Sequence, residues 1–187
     1  EKSAISAIES GLILLTEDGK HLYVSYDEYH NLIAKLALKV HQSGWEFDTI
    51  LCLARGGLRP GDMLSRIFNK PLAIMSTSSY RAEAGTVQGH LDIARFITTP
   101  KGEIAGRVLL VDDLADSGHT LNAVISMLKG NYAPITELRS AVIWTKALST
   151  FSPDYSVEFL NTNPWIHQPF ETYDNLTPEK LMEKWRL

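Results

Sequence analysis

The sequence has 187 residues with 44% hydrophobic and 21% charged residues, and its formal charge is −4. This composition suits a chain that buries one sizeable core, and it excludes a disordered chain, a collagen-like chain and a disulfide-stapled mini-protein. The acidic balance argues against nucleic-acid binding, and no apolar stretch reaches the ~18 residues that a membrane span needs.

The single cysteine, Cys52, lies within an apolar run, so we expect a buried, inert thiol rather than a reactive one. The first residues lack the charged and apolar segments of a signal peptide. We therefore expect a reducing, cytoplasmic setting.

Apolar segments flank a turn at residues 17–20, so residues 1–24 are predicted to form an N-terminal arm or small hairpin. Apolar side chains at helical spacing follow Ser25, and this helix is predicted to end at Ser43-Gly44. Two more helices are predicted over 62–68 and 120–128, with a loop over 57–60 and the last helix ended by Gly130. Short apolar runs predict strands at 49–54, 72–76, 107–111, 139–145 and 157–160.

Continuous apolar strands that alternate with helices predict an α/β fold, with a mostly parallel sheet flanked by helices. Ligands bind such sheets beyond the carboxyl ends of the strands. The loops that follow Ala54, Ser76, Val111 and Thr145 are therefore the places to look for chemistry.

The loop after Val111 carries two acids, Asp112 and Asp113, and then a Ser-Gly-His-Thr turn over 117–120 that opens a helix. Backbone N–H groups and hydroxyls of such a turn, together with the helix N-terminus, can hold a phosphate. Paired acids beside it can accept hydrogen bonds from vicinal hydroxyls, which suits a sugar phosphate. The alternative to a sugar-phosphate site is a purely structural segment, in which the strand ends in solvated acids and a capped helix follows. The glycine-lysine loop of nucleotide hydrolases and the dinucleotide-binding glycine pattern are both absent.

Three further segments carry polar or aromatic groups suited to a ligand. The run Arg55-Gly56-Gly57 offers a cationic donor and close backbone approach, although it could be a surface turn. Lys146 ends a predicted strand, where it can donate to a carbonyl oxygen or extend into solvent. Trp165 can stack on a flat base or pack in a core.

Residues 108–120 resemble the phosphoribosyl pyrophosphate motif of the type I phosphoribosyltransferases: four apolar residues, two acids, two spacers, then Asp-Ser/Thr-Gly-x-Thr. The Arg-Gly-Gly loop, Lys146 and the segment Trp-Ile-His-Gln-Pro-Phe over 165–170 resemble the bacterial xanthine-guanine branch of that family. The resemblance covers residues 25–175. It implies the type I fold with a small C-terminal hood at about 160–175 and a flexible lid loop, in one domain over 25–187.

The resemblance also implies roles for single residues. Asp112 and Asp113 would bind the ribose hydroxyls, with Asp112 contacting Mg²⁺ through water or substrate, and Asp116 would handle the proton on N7 of the base. The 5′-phosphate would be wrapped by Ala115, Asp116, Ser117, Gly118, His119 and Thr120. Pyrophosphate would meet Arg55, Gly56 and Gly57, a loop that often has a cis peptide in this family, here at Ala54–Arg55 or Arg55–Gly56. Lid contacts would come from Ser79 and Tyr80, and base contacts from Lys146, Trp165 and the backbone of Ile166.

We therefore expect a magnesium-dependent enzyme of purine salvage that transfers phosphoribosyl from phosphoribosyl pyrophosphate to guanine, xanthine or hypoxanthine. By analogy with the family we expect a homodimer or homotetramer. His167 and Phe170 stand where the xanthine-guanine enzyme has Glu and Trp, which leaves the preferred purine open. The alternatives are a phosphoribosyltransferase for another base, and a non-catalytic regulator that senses phosphoribosyl pyrophosphate or a nucleotide.

Overall fold

The computed structural model describes residues 13–79, 91–100 and 102–186. The chain divides into two compact units, one combining Glu1–Leu32 with Thr162–Leu187 and the other holding Ile33–Asn161. Within the described ranges, no helix combines the length and the apolar character needed to cross a membrane.

The helices and strands of the described ranges are numbered in chain order. The helices are α1 (Tyr26–Gln42), α2 (Leu58–Phe68), α3 (His119–Asn131) and α4 (Pro178–Trp185), with a 3₁₀ helix at Pro169–Tyr173. The strands are β1 (Leu14–Leu15), β2 (His21–Tyr23), β3 (Thr49–Ala54), β4 (Leu72–Ser79), β5 (Leu91–Ile93), β6 (Gly106–Val111), β7 (Leu114–Ala115), β8 (Ile135–Lys146), β9 (Tyr155–Leu160) and β10 (Trp165–His167).

The larger unit is built on a sheet with the order β5-β4-β3-β6-β8-β7, and β9 also pairs with β8. Among the strands described, β4 pairs antiparallel with β5 and the other pairings of this sheet are parallel; Ile74 of β4 also forms an isolated antiparallel bridge with Thr98. The chain leaves β3 on one side to form β4 and returns on the other side as β6. The carboxyl ends of β3 and β6 therefore lie side by side at the point where the strand order reverses. The predicted α/β fold with a mostly parallel sheet is confirmed.

The bounds of some elements differ from the prediction. Helix α2 begins at Leu58 rather than Asp62, so the predicted loop over 57–60 was wrong beyond Gly57. Proline is compatible with a first helical turn, where N–H groups have no partner inside the helix, so Pro60 does not delay the start. Helix α3 continues through Gly130 to Asn131. Strand β8 starts at Ile135, four residues before the predicted Arg139.

The apolar positions that predicted these elements are the ones that the fold buries. The side chains of Leu32, Leu36 and Val40 form a fully buried stripe on α1. Full burial of a side chain of this size stabilises the folded state by ~1.5–3 kcal/mol. Cys52 is buried in β3, and burial raises the pKa of its thiol to about 11. The expectation of an inert thiol is therefore supported.

The smaller unit contains a second sheet, with the order β1-β2-β10 among the described residues. Strands β1 and β2 form an antiparallel hairpin, and β10 pairs in parallel with β2, placing Ile166 opposite Leu22. The N-terminal hairpin and the segment predicted to form the hood thus belong to one unit.

Candidate active site

The turn after β3 packs directly against the end of β6. The Gly57 N–H donates to the carbonyl oxygen of Leu53 at 2.7 Å, and a Cβ on Gly57 would collide with the carbonyl oxygens of Leu53 and Val111. A Cβ on Gly56 would lie 2.5 Å from Oδ1 of Asp113. Only glycine allows this approach, so the Gly-Gly pair places the turn against the second of the two acids.

This turn and the first turn of α2 each carry an exposed arginine. The Ala54–Arg55 peptide bond is cis, at one of the two positions that the family resemblance implied. Arg55 and Arg59 are both exposed. A phosphate group arriving from solvent could therefore meet planar, charged donors next to a close-packed backbone.

The two acids at the end of β6 are held by the backbone of β8. The Asp112 N–H donates to the carbonyl oxygen of Ala141 at 3.1 Å, and the Asp113 carbonyl oxygen accepts from Ile143 and Trp144 at 3.0 and 3.1 Å. The Asp113 N–H donates to Oδ1 of Asp112 at 2.9 Å. Burial, followed by the charge of Asp113, raises the pKa of Asp112 well above its ordinary value. Ionising both acids at this place therefore costs free energy, and a hydroxyl donor or a cation next to them would offset that cost.

The turn that opens α3 is braced by a segment that follows β8. Gly118 has a φ of 83°, and a Cβ there would lie 2.6 Å from the backbone nitrogen of Phe151 and 2.9 Å from Oγ of Ser149. The backbone N–H and the hydroxyl of Thr150 both donate to the Ser117 carbonyl oxygen at 2.9 Å. These contacts fix the turn that precedes α3. The first N–H groups of α3 lie at this turn, and they have no hydrogen-bond partner within the helix.

Asp116 and Lys146 come together at the carboxyl end of the sheet. The distance from Lys146 Nζ to Asp116 Oδ1 is 3.1 Å, and the exposed fractions of the two side chains are 7% and 40%. Lys146 also lines a cavity of about 340 Å³ together with Thr145 and Thr150. An acid and a cation therefore stand next to each other, the cation nearly buried and the acid reachable from solvent.

The smaller unit presents the predicted base-stacking residue beside a cavity of its own. Trp165 is 49% exposed, and its backbone N–H donates to the Lys20 carbonyl oxygen at 2.7 Å, whereas Ile166 is buried. Trp165 lines a cavity of about 790 Å³ with Tyr23 and His167. A side chain with half of its surface exposed is not part of a core, so the alternative of a core tryptophan is wrong.

The predicted lid residues are only partly described. Ser79 is the last residue of β4, and its backbone pairs with Leu91 of β5. Tyr80 lies outside the described residues. Their contacts with pyrophosphate stay a prediction.

Within the larger unit, the structure brings together most of the residues that the sequence selected: the Arg-Gly-Gly turn, the paired acids, the turn over 115–120 and Lys146. Trp165 and Ile166 belong to the smaller unit. Two sets of residues were missed. The first set is the segment over 149–151, which contacts the turn before α3 and carries no sequence motif. The second set is the hairpin residues His21 and Tyr23, which contact His167 although they lie far from His167 in the sequence.

Comparison with known proteins gives one family match and several similar solved structures. Residues 25–175 match the model of the phosphoribosyl transferase domain family. A purine phosphoribosyltransferase from Pyrococcus horikoshii Ot3 is similar, with 30% identity over 81% of this chain and 94% of that one, and a TM-score of 0.66.

Two more distant solved structures share the fold. The xanthine-guanine-hypoxanthine phosphoribosyltransferase of Helicobacter pylori has 22% identity over 87% of this chain and 99% of that one, with a TM-score of 0.67. The orotate phosphoribosyltransferase of Aeropyrum pernix has 18% identity over 84% and 93% of the two chains, with a TM-score of 0.51. Because the fold serves both purine and pyrimidine enzymes, the base has to be inferred from side chains.

Proposed function

This chain belongs to the phosphoribosyltransferase family and is a phosphoribosyltransferase, and on that premise we propose that its acceptor base is a 6-oxopurine: guanine, xanthine or hypoxanthine. The reaction joins the base to ribose 5-phosphate and releases pyrophosphate, which is the chemistry of purine salvage.

The observation that carries the proposal is the contact between Lys146 and Asp116, at 3.1 Å. O6 and N7 are neighbouring polar atoms on one edge of a 6-oxopurine. An ammonium donates and never accepts, so Lys146 suits the O6 carbonyl. A carboxylate accepts, so Asp116 suits a proton on N7. Adenine carries an amino donor at position 6, which would face the ammonium as donor against donor. The pair therefore favours an oxygen at position 6.

The remaining roles follow the contacts around the paired acids. Asp112 and Asp113 would accept hydrogen bonds from the two ribose hydroxyls, since both carboxylates stand at the end of β6. The 5′-phosphate would sit in the turn over 115–120, where the helix N-terminus favours an anion. Pyrophosphate would meet the turn over 55–57. Base stacking by Trp165 and a base contact by the Ile166 backbone stay predictions from the family resemblance.

The carboxylate oxygens at the end of β6 are the kind of donor atom that magnesium prefers. Burial and then the charge of Asp113 raise the pKa of Asp112, and a nearby cation would offset both by favouring the ionised carboxylate. No cluster of three or more metal-ligating side chains occurs in the described part of the chain. Asp112 would thus hold magnesium through water or substrate oxygens, as this ion prefers. When bound, magnesium neutralises charge on the leaving pyrophosphate.

The protein's own residues orient the two substrates and provide an acceptor for the proton. The bond from ribose C1′ to pyrophosphate breaks, and the leaving group takes the electron pair, while the lone pair on N9 of the base forms the new bond to C1′. The proton on N7 then leaves to the Asp116 carboxylate. A group in this role contributes roughly 10²–10⁴-fold to the rate. Orienting both substrates on one rigid sheet edge supplies a further part of the acceleration.

A base panel tests the proposal. The protein is incubated with phosphoribosyl pyrophosphate, magnesium and one of guanine, xanthine, hypoxanthine, adenine, orotate or uracil, and nucleotide formation is measured. We expect nucleotide from the 6-oxopurines. Lys146→Ala should weaken their use and leave adenine use poor, whereas Lys129→Ala, an exposed lysine on α3, is the matched control.

Three outcomes would overturn the proposal. Adenine turnover that equals the best oxopurine rejects the role of Lys146. Turnover confined to orotate or uracil rejects the purine assignment. Binding of phosphoribosyl pyrophosphate without conversion of any base would instead indicate a regulator.

A further inference from the structure

One residue outside the phosphoribosyl pyrophosphate motif supplies two hydrogen bonds to the turn that opens α3. The backbone N–H and the hydroxyl of Thr150 both donate to the carbonyl oxygen of Ser117, each at 2.9 Å. Nδ2 of Asn122 on α3 donates to Oγ1 of Thr150 at 3.3 Å, so the hydroxyl oxygen accepts from Asn122 while its proton is directed at Ser117. Two donors from one residue thus occupy both lone pairs of the Ser117 carbonyl oxygen.

The segment that carries Thr150 is itself held in place within the larger unit. The Ser149 N–H donates at 2.9 Å to the carbonyl oxygen of Lys146, the last residue of β8. The Ser149 hydroxyl donates to the Phe151 carbonyl oxygen at 2.9 Å and accepts from the Phe151 N–H at 3.2 Å. The position of Thr150 is therefore set from the end of β8.

The bonds from Thr150 also fix the direction of the next backbone N–H group. The Ser117–Gly118 peptide bond is trans, and in a planar trans peptide the C=O and N–H groups point in opposite directions. Because the Ser117 carbonyl oxygen points at Thr150, the N–H of Gly118 points away from it. Rotation of this peptide plane would exchange the two groups and place the carbonyl oxygen where the N–H now lies.

The segment over 149–151 closes one side of the turn. A Cβ on Gly118 would lie 2.6 Å from the backbone nitrogen of Phe151 and 2.9 Å from Oγ of Ser149, so no space for a phosphate group is left on that side. A phosphate must approach from the opposite side, where the Gly118 N–H points. A backbone N–H there stabilises the anion by donating to it, whereas a carbonyl oxygen in its place would repel the anion.

We propose that Thr150 is a positioning residue for the 5′-phosphate of phosphoribosyl pyrophosphate: it holds the Ser117 carbonyl oxygen away from the phosphate and turns the Gly118 N–H toward it. The proposal rests on the placement of the 5′-phosphate in the turn over 115–120 that is proposed above, and it is independent of the base that the enzyme uses. Thr150 acts through the Ser117–Gly118 peptide and does not touch the reacting atoms.

Two substitutions at position 150 separate the hydroxyl from the rest of the residue. Thr150→Val keeps the branched shape and the backbone N–H but removes the hydroxyl, whereas Thr150→Ser keeps the hydroxyl. The matched control is Thr136→Val, the same change at an exposed position at the amino end of β8, whereas the turn lies at the carboxyl end. For each protein, kcat and the KM for phosphoribosyl pyrophosphate are measured, together with the Kd of ribose 5-phosphate and of magnesium pyrophosphate.

We expect Thr150→Val to raise the KM for phosphoribosyl pyrophosphate and the Kd of ribose 5-phosphate by about two- to tenfold, the effect of one neutral hydrogen bond. The Kd of magnesium pyrophosphate, which lacks the 5′-phosphate, should stay unchanged. Thr150→Ser and Thr136→Val should bind all three ligands like the wild type. A merely structural defect would lower the active fraction and kcat without changing these constants. Unchanged constants in Thr150→Val, an equal loss for pyrophosphate, or no rescue by serine would each overturn the proposal.

NMR of the uniformly ¹⁵N-labelled wild-type protein gives a readout that does not depend on the folding of a variant. On saturation with ribose 5-phosphate, the amide proton of Gly118 should shift downfield, because its N–H then donates to the phosphate. A Gly118 amide that does not respond while other amides of the turn over 115–120 do would reject the role of Thr150. If ribose 5-phosphate binds and no amide of that turn responds, the placement of the 5′-phosphate is itself wrong.

Discussion

The unequal burial of Lys146 and Asp116 predicts unequal costs when either charge is removed. Asp116→Asn leaves an ammonium that is only 7% exposed facing a neutral amide, 3.1 Å away in the native geometry. Removing one partner of a fully buried pair costs ~3–5 kcal/mol. Because the Asp116 side chain is 40% exposed and water reaches it, we reduce this to ~2 kcal/mol.

The reverse substitution should cost much less. Lys146→Met fills the same volume with apolar atoms and leaves a carboxylate that water can hydrate, so the loss should be ~0–1 kcal/mol. In a chain of this length each 1 kcal/mol moves Tm by roughly 2–4 °C. We therefore expect Asp116→Asn to lower Tm by about 4–8 °C, and Lys146→Met by less than about half as much.

Calorimetry and urea unfolding of the unliganded protein measure these effects. The decisive variant combines both substitutions: Lys146→Met added to Asp116→Asn should recover stability, because no uncompensated buried charge is left. Equal losses in the two single variants, or a double variant less stable than Asp116→Asn, would refute the argument from burial. Phosphoribosyl transfer should fall in both single variants regardless of Tm, by roughly 10²–10⁴-fold in Asp116→Asn.

The acids and glycines around the site give three further predictions. The pKa of Asp112 is raised in the folded state, so ionisation of this acid lowers the stability of the fold as pH rises through that pKa. Asp112→Asn, measured in EDTA, should therefore increase the free energy of unfolding at pH 8, and the increase should become smaller as pH falls. The same substitution should increase the KM for phosphoribosyl pyrophosphate. Gly118→Ala should lower the free energy of unfolding by at least ~1–2 kcal/mol, because the φ of Gly118 is 83° and the new Cβ would lie 2.6 Å from a backbone nitrogen. Thermal unfolding measures this loss. The control is Gly130→Ala, which should leave stability unchanged or increase it, because the space around its Cβ is open. Gly56→Ala should displace the Asp113 carboxylate, and steady-state kinetics should then show a higher KM for phosphoribosyl pyrophosphate; an unchanged KM would mean that this carboxylate does not touch the ribose.

Much of the fold, and the gathering of the selected polar residues at one edge of the sheet, could be predicted because the patterns that indicate them are local in sequence. A run such as Thr49–Ala54 is apolar throughout, which marks a strand covered on both faces. The chain places Asp112 and Asp113 directly after another such strand, and parallel strands end at one edge of the sheet. Strand order was not needed to infer that the loops after β3 and β6 share a ligand.

The boundary errors have a local cause as well. Sequence patterns mark the start of a helix by capping residues, but α2 begins directly after a glycine turn whose close packing against the end of β6 sets the first turn. No property of Leu58 or Pro60 alone reports that packing. The exact start was therefore decided by tertiary contacts.

Contacts between distant residues were decided only by the tertiary structure. The sequence identified Asp116 and Lys146 separately, yet their 3.1 Å contact depends on the register of β7 against β8. The segment over 149–151 carries no sequence motif. It contacts the turn before α3 because the chain reaches that turn directly after the end of β8. His21 and His167 are 146 positions apart, and they meet because β10 pairs with β2. Local chemistry determines which residues can act, whereas strand register, a property of the whole folded chain, determines which of them act together.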